Sequence, residues 1–199
     1  MKAFRKWLFL SIFLVLARGS EAQNPGVAGA APSMEAGIGY SYLNVAVPSQ
    51  NRIAMNGVDA SFTADFRRRF GIRFDLGYDR ACNVFDTNRH ADLLTYMAGP
   101  VFYPVRRKSF SAYAHLLLGG ARQSGVNFTS NGGIATGWVN HFAWAAGGGV
   151  QYRLTPAFSV RLGADYLRTT FFNANLAYEG QNNVRTVGSI VYTFGGHHQ

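Results

Sequence analysis

Within the strand-like stretches of this chain, every charge falls on one parity of the numbering, and that regularity limits its folds more than any other feature. Eight runs alternate in character: Glu35–Leu43, Val58–Phe66, Phe70–Asp79, Leu93–Tyr103, Phe110–Ala121, Phe142–Arg153, Phe158–Leu167 and Arg185–Phe194. Their even-numbered positions hold no charged residue. Their odd-numbered positions hold ten: Glu35, Asp59, Asp65, Arg73, Asp75, Asp79, Arg153, Arg161, Asp165 and Arg185. A period of two belongs to a β-strand, whose successive side chains point to opposite faces. In Phe70–Asp79, for example, Phe70, Ile72, Phe74, Leu76 and Tyr78 oppose Arg73, Asp75 and Asp79. The expectation is an all-β chain of eight antiparallel strands.

The connections alternate in length as well. Arg67–Arg69, Pro104–Ser109 and Leu154–Ala157 are short, whereas Asn44–Gly57, Arg80–Asp92, Arg122–His141 and Arg168–Val184 are long and polar. Up-and-down hairpins with short turns on one rim and long loops on the other make a closed barrel, and eight strands enclose a space that side chains can fill. The contents of each face decide the solvent. A soluble eight-stranded barrel would need an apolar inside and a polar outside; here the ten charges would fill the inside and the Phe, Leu, Tyr and Trp residues would face water. Arginine on a lipid-exposed face near mid-bilayer costs about 2–4 kcal/mol. The charges therefore belong in the lumen and the apolar parity in lipid. Leu93, Met97, Val101 and Leu117 fall on the lumen parity, so a bulge in the fourth or fifth strand, which would shift register, is the alternative there.

Export is expected from the start of the chain. Lys2, Arg5 and Lys6 precede the apolar run Trp7–Ala17, and Ser20-Glu21-Ala22 offers small residues for cleavage. That is the layout of a signal peptide over residues 1–22, too short to span a bilayer, which takes roughly 20 apolar residues. A small-residue linker, 23–33, leads into the barrel at 34–199. Residues 1–22 carry four cations and one anion, so the remainder holds 15 basic and 9 acidic groups, net +6 rather than +9. The mean hydropathy of −0.03 suits strands that average apolar and polar faces.

Aromatics gather at both ends of the runs: Phe70, Phe110, Phe158, Tyr192 and Phe194 toward the short turns, Tyr40, Tyr78, Trp144 and Tyr166 toward the long loops. Two such girdles are expected where a barrel crosses the membrane interfaces. Arg67, Arg68, Arg69, Arg106, Arg107 and Lys108 make two basic turns expected to face lipid headgroups, with plain solvation as the alternative. Nothing in the pattern points to nucleic acid.

The signal peptide, the eight alternating strands and the ending Val184–Gly195 resemble the small OmpA/OmpX-type outer-membrane barrels. The resemblance implies insertion in the outer membrane with the short turns periplasmic. It also implies a strand-final aromatic, Phe194, read by the barrel-assembly machinery; five residues, Gly-Gly-His-His-Gln, follow it here. Partners expected on these grounds are outer-membrane lipids, the assembly machinery and an extracellular partner held by the long loops, with the barrel a monomer.

His115, with Tyr113 beside it, lies on the lumen parity. Some barrels of this class modify lipid A with a His-Ser pair, but no compact Ser-His pattern surrounds His115, and a hydrogen-bonded lumen role is the expectation. Neither Cys82 nor His197-His198 supplies the three or four convergent ligands of a metal site, and no cofactor is expected. The function so inferred is non-enzymatic, structural or adhesive. A narrow solute channel and, further off, a lipid-modifying enzyme are the alternatives.

Overall fold

The computed structural model describes residues 33–46, 52–84, 88–128, 134–172 and 179–195. The expected signal peptide, nearly all of the expected linker, the tips of the long loops and the terminal histidines lie outside them. The strands are β1 (Ser33–Val45), β2 (Ile53–Arg67), β3 (Phe70–Ala81), β4 (Ala91–Arg106), β5 (Phe110–Phe128), β6 (Ile134–Thr136), β7 (Val139–Arg153), β8 (Phe158–Phe172) and β9 (Glu179–Phe194). Eight of these close a fully antiparallel barrel in chain order: β1 pairs with β9, and β4 with β5. The short β6 lies outside the ring, paired only to the outer end of β5.

Most strands run beyond the alternating runs, chiefly on the long-loop side. β2 begins at Ile53 rather than Val58, and β5 continues to Phe128. A hairpin ladder still satisfies the backbone outside the bilayer, and polar side chains there are no obstacle. Asn44, for example, accepts hydrogen bonds from Arg52 through its side-chain and backbone oxygens.

Alternation along the strands is complete enough to settle the faces. β3 reads exposed-buried through all its residues, with Phe70, Ile72, Phe74, Leu76 and Tyr78 outside and Arg73, Asp75 and Asp79 inside. From Phe158 to Tyr166 the outer face of β8 is Phe, Val, Leu, Ala and Tyr. Eight steps at about 3.4 Å, tilted roughly 40°, make a belt about 21 Å high. That is close to the apolar band of roughly 25 Å on known membrane barrels. Exposed apolar surface of this extent belongs against lipid.

Leu93, Met97, Val101 and Leu117 stay inside. The register of β4 against β5 does slip, but beyond them, between Phe102 and Val105. Pro104, which cannot donate to a ladder, sits in that bulge. The slip reverses parity at the end of β4, so Val105 faces out and Arg106 turns in.

Candidate functional site

The lumen is a stack of layers. At the long-loop end, Asn183 donates to Thr169 (3.1 Å), Thr169 donates to Gln181 (3.0 Å), and the backbone of Ala46 bonds both amides. Beneath this polar lid lies an apolar plug. Leu43, Met55, Leu93, Met97, Leu117 and Leu167 pack with alanines of β3, β4, β5 and β7, all buried. Three of the residues that looked out of place on the lumen parity, Leu93, Met97 and Leu117, are therefore at one height and form a seal, while Val101 packs lower, against Tyr103 and Tyr113.

The charged centre lies below the plug. Arg185, about 1% exposed, donates through Nε (3.1 Å) and Nη2 (2.7 Å) to Asp165, and through Nη1 to Asp75 (2.8 Å) and Asp59 (3.4 Å). Asp79 is buried nearby, with no cation within ion-pair distance among the described residues. His115 joins this centre to Arg73. A guanidinium can only donate, so the 2.9 Å contact from Arg73 Nη1 makes His115 Nδ1 the acceptor, and Nε2–H donates to Asp165 at 2.8 Å. Both ring nitrogens are thus committed, and neither can act as a general base without breaking the network. No serine, threonine or cysteine hydroxyl or thiol bonds His115 among the described residues. Free space in this layer is about 20 Å³, enough for one water and no more.

Toward the short turns, Tyr113 separates two guanidinium groups, 4.4 Å from Arg73 and 5.4 Å from Arg161. Arg161 pairs with Glu35 (2.5 Å) and donates to Gln151 (2.9 Å), which in turn donates to Glu35 (3.1 Å). Glycines make room for these side chains. A Cβ at Gly163 would stand 2.5 Å from the Tyr113 hydroxyl, and one at Gly147 only 2.2 Å from the Asp165 carboxylate. Tyr113 and Gln151, both neutral, are the organising residues that a search for charges passes over.

Two placements differ from expectation. Arg106, expected at the headgroups, is turned inward by the bulge; it pairs with Asp65, lies 3.9 Å from Glu35, covers the Tyr103 ring at 4.3 Å and donates to the Arg68 carbonyl. Arg153, expected in the buried network, is only half-buried at the mouth of the lumen and has no ion pair among the described residues, because β7 ends there. Arg67, Arg68, Arg69, Arg107 and Lys108 are exposed.

Both aromatic girdles are present on the outer face. Near the short turns Phe70 packs tilted against Phe102 (5.0 Å) and Phe158 against Tyr192 (5.2 Å), Tyr192 stacks on Phe194 (6.0 Å), and Phe110 is exposed among them. Trp144 meets Tyr166 (5.5 Å) on the other side, where Tyr40 and Tyr78 are also exposed. Above this second girdle Arg80 forks onto Asp92. Partial burial pushes the Asp92 carboxyl up, but hydrogen bonds from Arg80 and Tyr78 outweigh it and hold the group below the usual carboxylate range. Arg122 lies 4.0 Å over Trp138.

No family model and no curated protein matches the sequence. Solved structures do match its shape. The attachment invasion locus protein Ail of Yersinia pestis, in complex with the heparin analogue sucrose octasulfate, is similar with a TM-score of 0.57 at 18% identity, over 82% of this chain and 99% of that one. Neisserial surface protein A gives 0.56 at 12% identity, over 83% and 98%. The N-terminal β-barrel domain of Pseudomonas aeruginosa OprF gives 0.51 at 14% identity, over 82% and 97%. The chain has the eight-stranded outer-membrane barrel fold.

Proposed function

We propose that this protein is a non-enzymatic outer-membrane barrel whose working surface is its set of long loops. The closed lumen carries the reading. An apolar plug lies above a paired ionic centre with about 20 Å³ of free space, and the lumen histidine is locked between Arg73 and Asp165. With the outer face given to lipid, the extracellular rim is where such a monomer meets a partner.

The charge on that rim suggests the partner's chemistry. Among the described residues, Arg52, Arg80 and Arg89 are exposed there with His90, while Asp92 is largely buried against Arg80. Arg122, propped on Trp138, adds a cation to the largest hairpin. A polyanion such as a sulfated glycan fits this surface, the class of ligand that the Ail structure carries. Cells displaying the barrel are expected to retain a sulfated polysaccharide. Arg52→Gln, Arg89→Gln and Arg122→Gln together should weaken retention roughly tenfold, as three exposed ion pairs at about 0.5 kcal/mol each would. Binding unchanged in the triple variant would remove the polyanion from the account.

Planar-bilayer recordings separate this from the channel alternative. Refolded protein is expected to give at most small, intermittent steps. Large, stable openings that change on Arg161→Gln or Asp165→Asn would make the lumen the working part instead.

A further inference from the structure

The excess charge of this protein is not spread over it. Six carboxylates and four arginines (Arg73, Arg106, Arg161, Arg185) occupy the lumen, and the long-loop segments of the sequence contain five arginines and three acids. The short-turn rim carries Arg67, Arg68, Arg69, Arg107, Lys108 and Arg153 and no acid, which equals the whole net charge of +6 beyond the signal peptide. These cations lie just past the girdle of Phe66, Phe70, Phe102 and Phe110, all exposed to lipid. That is the depth of the inner-leaflet headgroups.

One sector of this rim is a cleft rather than a fringe. Between the β4–β5 turn and the ends of β7 and β8, a recess is lined by Arg107, Lys108, Arg153, Ser111, Ser159 and Glu35. Its free space is about 10 Å³, the size of a single oxygen-sized group. Glu35 is already neutralised by Arg161 and, farther off, Arg106. The side chains of Arg107, Lys108 and Arg153 enter no ion pair among the described residues. Ser159 is about 1% exposed, yet its hydroxyl has no hydrogen-bond partner among the described residues. A buried donor without an acceptor, beside three uncommitted cations, calls for an anionic oxygen.

We propose that this cleft binds the phosphate of an inner-leaflet phospholipid, one oxygen entering to accept from Ser159 and the others meeting Arg107, Lys108 and Arg153 at the mouth. The site rests on the membrane placement of the barrel and is independent of what the long loops bind. It would fix the barrel's depth and bias its annular lipids toward anionic headgroups.

Native mass spectrometry of the refolded barrel, released from mixed micelles of phosphatidylglycerol and phosphatidylcholine in equal amounts, tests this. The expected result is preferential retention of phosphatidylglycerol. Arg107→Gln with Arg153→Gln should lower that preference roughly 25-fold, at about fivefold per cation near an anionic surface. Ser159→Ala should lower retention of both lipids roughly tenfold, since the phosphate oxygen it would meet is common to them and the loss is one hydrogen bond to a charged group. Since that hydroxyl has no partner among the described residues, its loss should leave folding intact, checked by heat-modifiable gel migration. Arg67→Gln, Arg68→Gln and Arg69→Gln together should matter less than the cleft pair. Equal retention of both lipids, or a preference lost only in that turn variant, overturns the site. If inorganic phosphate alone in neutral detergent competes as well as phosphatidylglycerol does, the free anion is the ligand and the lipid assignment fails.

Discussion

Replacing Arg185 with methionine is expected to cost the barrel about 3–5 kcal/mol, the range for breaking a buried ion pair from one side. The arginine is the shared partner of Asp59, Asp75 and Asp165. Without it three carboxylates face one another in a space that admits about one water. Arg185→Lys should recover only part of the loss, because an ammonium cannot reproduce the fork that meets three acids at once. The check is equilibrium urea unfolding in detergent micelles or lipid vesicles, with midpoints compared across wild type, Arg185→Lys and Arg185→Met. A methionine variant as stable as wild type would mean that the ionic centre contributes nothing to holding the strands together.

The second large effect is on the opposite face. Leu162 is exposed on β8, midway between Phe158 and Tyr166, and so at the centre of the lipid belt. Leu162→Arg should destabilise the membrane-inserted state by about 2–4 kcal/mol, whereas Tyr42→Arg, at the interface, should cost about 0–1 kcal/mol. The same vesicle unfolding experiment reads both. For a barrel in water the expectation reverses, since an exposed leucine exchanged for arginine would be neutral or helpful to solubility. Equal, small effects at the two depths would therefore argue against the bilayer.

Most of the architecture is legible in the sequence because a single physical demand, keeping ions out of lipid, acts on every strand. Parity alone places Arg73, Asp75, Arg161, Asp165 and Arg185 inside and Phe74, Leu162 and Ile190 outside, and the structure agrees. The outer reach of β5 and β9 is not legible, because beyond the bilayer neither face is apolar and the alternation of apolar and polar residues disappears. The side taken by Arg106 is missed for a different reason. One bulge reverses every later side chain in its strand, and its only trace in the sequence is Pro104. Leu93, Met97, Val101 and Leu117 look like errors of register when each strand is taken alone. Three of them make sense once pairing shows that Leu93, Met97 and Leu117 share the level of Leu43, Met55 and Leu167. Val101 packs lower, with Tyr103 and Tyr113. Tyr113 and Gln151 leave no signal of charge, though the glycines at 147, 149 and 163 are the spaces their neighbourhood requires.

This barrel is apolar outside and ionic at its centre, and it is therefore expected to fold in lipid rather than in water. Refolding the chain from residue 23 onward, with and without detergent or vesicles, followed by heat-modifiable gel migration, tests it most directly. A fast-migrating folded band, lost on boiling, is expected only where detergent or lipid is present. A folded, monodisperse β-protein in plain buffer would contradict it.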